Sequence, residues 1–369
     1  MQEKAVHDAV VASGAPPLLS EKALAGWRTA QILLWAVGAA IFLALLLAPE
    51  VGIDAFWNLL IPVPPALLAF APGLWRNVCP LASTALLPRH LGLSARRRLS
   101  AEWQGRLGLV AVALLFLIVP LRHVLLNRDG PATALVLAAA ALAAVSVGFL
   151  FEWKSAWCSG ACPVHPVERL YGTEPVLTPP NAHCGPCERC VAPCPDSTPG
   201  STPFSFEGSR TRTVAATLAV GAFPGFVWGW FQVPDFSGGE GWSHLGSVYS
   251  LPLAGAAGAL GLFLVLRRIL PEPRKPILAR GFAAAAISCY YWYRIPSLFG
   301  MGLFPGDGTL VDLSGSLPSW FVGASRAATT ALFFWWFLRK RDEKRLWLVR
   351  PPFSPALRRG ETNSASVPA

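Results

Sequence analysis

Residues 27–48 read WRTAQILLWAVGAAIFLALLLA, and Arg28 is the only charged side chain among them. A helix needs about 20 predominantly apolar residues to cross the hydrocarbon core of a bilayer, and this run supplies them. The rest of the chain has the same character. Of its 369 residues, 53% are hydrophobic and only 14% charged, with 15 Trp and 21 Phe. Soluble domains carry about 25% charged residues. The sequence therefore predicts an integral membrane protein.

Further apolar runs follow at 51–72, 103–121, 131–151, 214–231, 248–266, 277–299 and 320–338. Together with the first they predict an all-α membrane helix bundle of about eight spans. Pro62, Pro64 and Pro65 interrupt the second run mid-way, and a break at membrane depth needs cover from neighbouring helices. The sequence divides into an N-terminal cytoplasmic tether (1–26), spans one to four (27–153), a loop segment (154–212), spans five to eight (213–338) and a basic tail (339–369) expected to be disordered. Residues 1–26 do not resemble a signal peptide: the apolar run after them is too long, and no small-residue cleavage site is evident.

The loops give the expected orientation. Arg76, Arg89, Arg96, Arg97 and Arg98 occupy 72–102; Lys154, Arg169, Arg189, Arg210 and Arg212 occupy 152–213; Arg267, Arg268, Arg274 and Lys275 occupy 267–276. The intervening loops 49–50, 232–247 and 300–319 have no Lys or Arg, and 122–130 has only Arg122 and Arg128. By the positive-inside rule, both termini and the 154–212 loop face the cytoplasm of a bacterial inner membrane. The net charge of +10 is explained by this loop pattern, so nucleic acid is not an expected partner.

Chemistry concentrates in the 154–212 loop. Cys184-Gly-Pro-Cys187-Glu-Arg-Cys190-Val-Ala-Pro-Cys194-Pro195 has the spacing C-x2-C-x2-C-x3-C-P, with which bacterial ferredoxins hold 4Fe–4S cubes. Structural zinc prefers separated Cys pairs, or Cys with His, and fits this run poorly. Two related sites lie near span ends: Trp157-Cys158-Ser-Gly-Ala-Cys162-Pro163 and Trp75-Arg-Asn-Val-Cys79-Pro80. In the first, a helical turn would put both sulfurs on one face. In the second, Trp75 stands where a leading cysteine would be. Each of Cys79, Cys158 and Cys162 could equally be a small packed apolar side chain.

These motifs resemble the membrane-bound polyferredoxins of nitrate-reductase, nitrous-oxide-reductase and methylamine-utilisation systems, over roughly residues 30–200. That resemblance implies a membrane electron carrier. It would exchange electrons between the quinone pool, or a cytoplasmic donor, and a redox partner protein. The chain departs from the family pattern in the Trp75 replacement, in having a single ferredoxin run, and in four additional spans.

Seven cysteines belong to the cytoplasmic face: Cys79, Cys158, Cys162, Cys184, Cys187, Cys190 and Cys194. Two all-cysteine cubes need eight, so one cube is expected and a second is open. Cys162 is the preferred fourth ligand for the cube on Cys184, Cys187 and Cys190, with Cys194 the runner-up. Cys194 normally serves another cluster, and Cys162 repeats the Cys-Pro form 22 residues upstream. His165 and His183 are candidate non-cysteine ligands, although loop histidines are more often solvated. Cys289, mid-way along span seven, reads as a packing residue.

Arg294 and Arg326 fall within spans seven and eight. Each is either part of a quinone-headgroup or anion site, or a side chain that snorkels to the outer surface or pairs with Asp307 or Asp312. Tyr290, Tyr291, Trp292 and Tyr293 resemble an interfacial aromatic belt. No phosphate loop, dinucleotide fingerprint or HExxH occurs. Two functions fit: electron transfer, with quinone a candidate second cofactor, or a non-catalytic assembly or regulatory role with a structural or redox-sensing cluster. A carrier fits better than a stand-alone enzyme.

Overall fold

The structure, a computed structural model, describes residues 19–97, 99–151, 154–173, 175–177, 179, 181–184, 203–204, 209–236 and 238–339. Among these residues it is helical, with one isolated bridge between Arg97 and Phe151.

Six helices are long and apolar enough to cross a membrane: α1 (Glu21–Leu47), α2 (Pro49–Phe70), α5 (Glu102–Leu126), α6 (Gly130–Leu150), α8 (Arg210–Trp230) and α9 (Gly241–Ile269). Short helices α3 (Pro72–Val78) and α4 (Pro80–Ala85) follow α2, and α7 (His165–Tyr171) lies between α6 and α8. Two more long helices, α10 (Lys275–Leu298) and α11 (Phe321–Leu338), complete the described chain.

Local chemistry sets the boundaries. The Ser20 hydroxyl accepts from the Ala23 N–H and caps α1, so the helix starts at Glu21, inside the segment expected to be tether. Ser100 and Asp129 cap the next turns in the same way, accepting from Trp103 and Ala132. Prolines divide the rest. Pro49, Pro72 and Pro80 each open a new helix, and the preceding Ala48, Ala71 and Cys79 leave the helical region, because a residue before proline is driven out of it.

The broken second span is covered as membrane depth requires. Its middle is a π-helical stretch, Asp54–Leu60, followed by a turn at 61–62. The Tyr291 hydroxyl of α10 donates to the Pro62 carbonyl at 2.7 Å and accepts from the Ala66 N–H at 3.0 Å. One side chain of the expected aromatic belt thus mends the backbone break.

Helix α1 is peripheral and α8 central: 6% of the most apolar stretch of α1 is buried, against half of that of α8. The main core gathers around α10, whose Ala279, Ala283, Ala284, Ala286 and Ile287 are buried against Phe223, Phe226, Phe263, Phe333 and Phe337. Arg280, Ser288, Arg294 and Ser297 dilute the apolar character of α10, and a central helix tolerates them because protein, not lipid, surrounds it. Cys289 is buried in this core, as a packing residue should be. Helices α8 and α9 meet backbone to backbone. A Cβ at Gly225 would lie 1.9 Å from the Gly255 carbonyl oxygen, so only glycine permits the approach.

Candidate functional site: the cysteine face

Cys79 sits at the joint between α3 and α4. Its N–H donates to the Trp75 carbonyl at 2.9 Å, and its own carbonyl accepts from Ala82 and Ser83, so Pro80 turns the chain without freeing the cysteine backbone. Cys158 lies in a π-helical turn, Lys154–Ala161, and Cys162 follows it directly. The Cys162 N–H donates to the Trp157 carbonyl five residues back, the wider repeat of a π turn rather than the α turn expected.

These three thiols converge. Cys79 and Cys158 both pack on Ala82 of α4 and on Leu86 just after it. Cys158 and Cys162 share the neighbouring cluster of Ala85, Ala144 and Trp157. Burial pushes the Cys162 thiol up to about 12, and the nearby Cys79 adds to the shift. A proton therefore stays on that sulfur unless a metal displaces it. Trp75, in the place of the missing cysteine, packs on the main core instead and takes no part in the thiol group.

A buried charge pair fixes the frame. Arg76, three residues before Cys79, bonds Glu168 of α7, both side chains being about nine-tenths buried. Burial opposes ionisation of Glu168, but the Arg76 charge, with His165 3.8 Å away, outweighs it and holds the carboxyl at about 2. The pair clamps α3 to α7 and so Cys79 to the Cys158–Cys162 segment.

The start of the ferredoxin-like run docks on the same corner. The Asn77 side-chain oxygen accepts from the Ala182 N–H at 2.6 Å, and Asn181 donates to the Arg76 carbonyl at 3.3 Å. Gln31 of α1 donates to the Asn77 carbonyl and lies 3.3 Å from His183 Nε2. Residues Ala182–Cys184 form a single tight turn here. The Cys184 backbone is thereby held beside the segment that carries Cys79. Cys187, Cys190 and Cys194 lie outside the described residues, as do most of the 1–26 tether and nearly all of the 339–369 tail. His165 and His183, expected to be solvated, are both buried. The reason is local: α7 packs His165 beneath Glu168, and the Asn77 corner draws His183 inward.

Among the described residues no group of three or more His, Cys, Asp or Glu side chains is close enough to hold one metal ion. The described thiols alone thus form no compact mononuclear site. A cube is different, because each of its ligands binds a different iron. Soft thiolates in a shielded pocket suit that cluster. Comparison with protein-family models, with curated proteins and with solved structures gives no match to this chain.

Sequence reasoning missed a second polar locus, at the opposite end of the bundle. His123 Nδ1 lies 2.6 Å from Asp235, whose carboxylate also accepts from Asn127, and His123 Nε2 lies 3.0 Å from the Trp230 carbonyl. Arg122 stacks over Trp57 and Trp230, 4.0 and 4.8 Å from their ring centres. The available signal was Arg122 and Arg128, the only basic residues in loops otherwise bare of them. Arg294 neither snorkels nor pairs with Asp307 or Asp312: it is buried, and Asp307 pairs with Arg128 at 3.1 Å. Arg326 donates to the Trp292 carbonyl at 3.3 Å and lies over the Tyr293 ring.

Proposed function

We propose that this chain is a membrane-bound electron-transfer protein whose cysteine face carries at least one 4Fe–4S cluster. Cys184, Cys187 and Cys190 would bind the first cube. The observation that carries the proposal is the packing of Cys79, Cys158 and Cys162 on two adjoining clusters that share Cys158, next to the docked start of the C-x2-C-x2-C-x3-C-P run. That packing favours Cys162 in a second set with Cys79 and Cys158, completed by Cys194, and leaves the fourth position of the first cube to a non-cysteine ligand. The bound cluster would supply one-electron redox chemistry. The chain's own residues hold the thiols: Arg76 and Glu168 fix the frame, and Asn77 places the run.

In this proposal α10 and α11 also cross the bilayer, giving eight spans with both termini and the cysteine face in the cytoplasm of a bacterial inner membrane. Loop charge supports that orientation, and reporter fusions after residues 200 and 345 test it: both should read cytoplasmic. Electrons would pass between the quinone pool, or a cytoplasmic donor, and a redox partner protein.

The competing role is assembly or regulation with a structural or redox-sensing cluster. The two separate in isolated membranes followed by electron paramagnetic resonance. A carrier shows a reversible signal that quinol or a cytoplasmic reductase drives within turnover times. A cluster that neither donor can reduce rules out the carrier role. In the same spectra, Cys162→Ser should remove a second signal and leave the first intact. Conversion of the first cube to a three-iron form would instead move Cys162 to that cube.

A further inference from the structure

The end of the bundle opposite the cysteines contains a cavity of about 420 Å³. Its rim is accessible: Glu50, Arg128, Leu303 and Gly306 are exposed. Its floor is buried and includes Asn58, His123 and Arg294. Trp57, Trp230, Tyr293 and Phe304 contribute aromatic wall. The size falls within the range of small-molecule sites, roughly 300–1,000 Å³.

The cavity's carboxylates are engaged, apart from the exposed Glu50. Asp235 accepts from His123 and Asn127, Asp54 accepts from Asn58 at 2.7 Å, and Asp307 is paired with Arg128. Arg294 is the exception. It is 4% exposed, yet it pairs with no carboxylate among the described residues. Its Nη2 donates to the Trp57 carbonyl at 2.7 Å and to Asn58 Oδ1 at 2.6 Å, which locks the plane of the guanidinium. Nε is buried without a hydrogen-bond partner, and Nη1 faces Gly308. Gly308 has φ +66, and a Cβ there would lie 2.3 Å from Nη1, so the loop is glycine where the guanidinium needs room.

Asp54 and Asp235 lie near enough to Arg294 to act on its charge, but neither bonds it directly. A buried cation with no direct ion pair is costly, and a fixed guanidinium edge matches a carboxylate. We infer that this cavity binds a small organic carboxylate, its anionic group on Arg294 and its body against the aromatic wall. The exposed rim, which includes Glu50 and Arg128, points to a water-borne ligand. No residue lining the cavity belongs to the clusters on which Cys79, Cys158 and Cys162 pack, so the site is separate from the cysteine face. This inference does not rest on the electron-transfer proposal.

Isothermal titration calorimetry of the full chain in detergent tests it, with benzoate as probe and neutral benzamide as control. Benzoate should bind with a dissociation constant of about 1 mM or tighter, the scale for so small a ligand, and benzamide at least tenfold more weakly. Arg294→Gln should weaken benzoate at least tenfold. Leu303→Trp, on the exposed rim, should do the same by filling the mouth, and it keeps the test decisive if Arg294→Gln does not fold. No benzoate heat, equal binding of benzamide, or wild-type affinity in Leu303→Trp overturns the inference. So does binding of inorganic phosphate without benzoate.

Discussion

The two ends of the bundle solve the same problem with opposite remainders. Each joins segments distant in sequence through a buried acid–base contact: Arg76 with Glu168 at the cysteine end, His123 with Asp235 at the cavity end. At the cysteine end Arg76 and Glu168 pair with each other, and three thiols pack beside them. At the cavity end the group left over is a guanidinium. Soft, buried sulfur suits an iron–sulfur cluster, and a fixed hard cation suits an anion. On the two proposals above, redox chemistry and anion recognition would occupy different ends of one helical scaffold.

The sharpest way to break the comparison is to unbalance the cysteine end. Glu168→Ala takes from the buried Arg76 the carboxylate that it bonds, which costs about 3–5 kcal/mol for a buried pair. Thermal unfolding in detergent should show a large loss of stability. A change within error would mean that α3 and α7 are held by packing alone.

Removing the Tyr291 hydroxyl should come next. Tyr291→Phe deletes the group that serves Pro62 and Ala66 and leaves a backbone carbonyl unsatisfied, for roughly 1–3 kcal/mol. The same unfolding measurement checks it.

Acid should loosen the cavity end in a defined window. Burial opposes ionisation of Asp235, but the bond to His123 and its charge, with Asn127, hold the carboxyl below its usual value of 3.8. A depressed carboxyl stabilises the fold fully above its unfolded value and loses that contribution as pH falls through the folded value. Tryptophan fluorescence from Trp57 and Trp230 should therefore change as pH drops below 3.8. Asp235→Asn should flatten that transition. An unchanged acid profile in the variant would assign the transition to other groups.

The smallest effect should come from Arg128→Ala. Its pair with Asp307 is half exposed on the arginine side, and such pairs contribute about 0–1 kcal/mol.

Much of the scaffold was legible because length and apolarity act locally. The apolar runs, the proline break at 62–65 and the packing role of Cys289 follow from neighbouring residues. Helix α10 is a harder case. Its place at the centre of the bundle depends on being enclosed by other helices, and Arg280, Arg294 and Ser297 keep it below the apolarity of a lipid-facing span. Trp75 marks the limit of motif reasoning: it occupies the position of a motif cysteine, but the aromatic core claims its side chain. His165 and His183 read as solvated because loops generally are, and contacts with Glu168 and Gln31 decide otherwise. Only Arg294, readable as a candidate anion or quinone-headgroup residue, points to the cavity in the sequence; His123 and Asp235 stand 112 residues apart and neither belongs to a motif.

The most direct test of the central claim is metal analysis of anaerobically purified full-length protein, made with iron available. The account predicts about four irons and four acid-labile sulfides per filled cube, with the cube on Cys184, Cys187 and Cys190 abolished by Cys187→Ala. Stoichiometric zinc in place of iron, without sulfide, would contradict it.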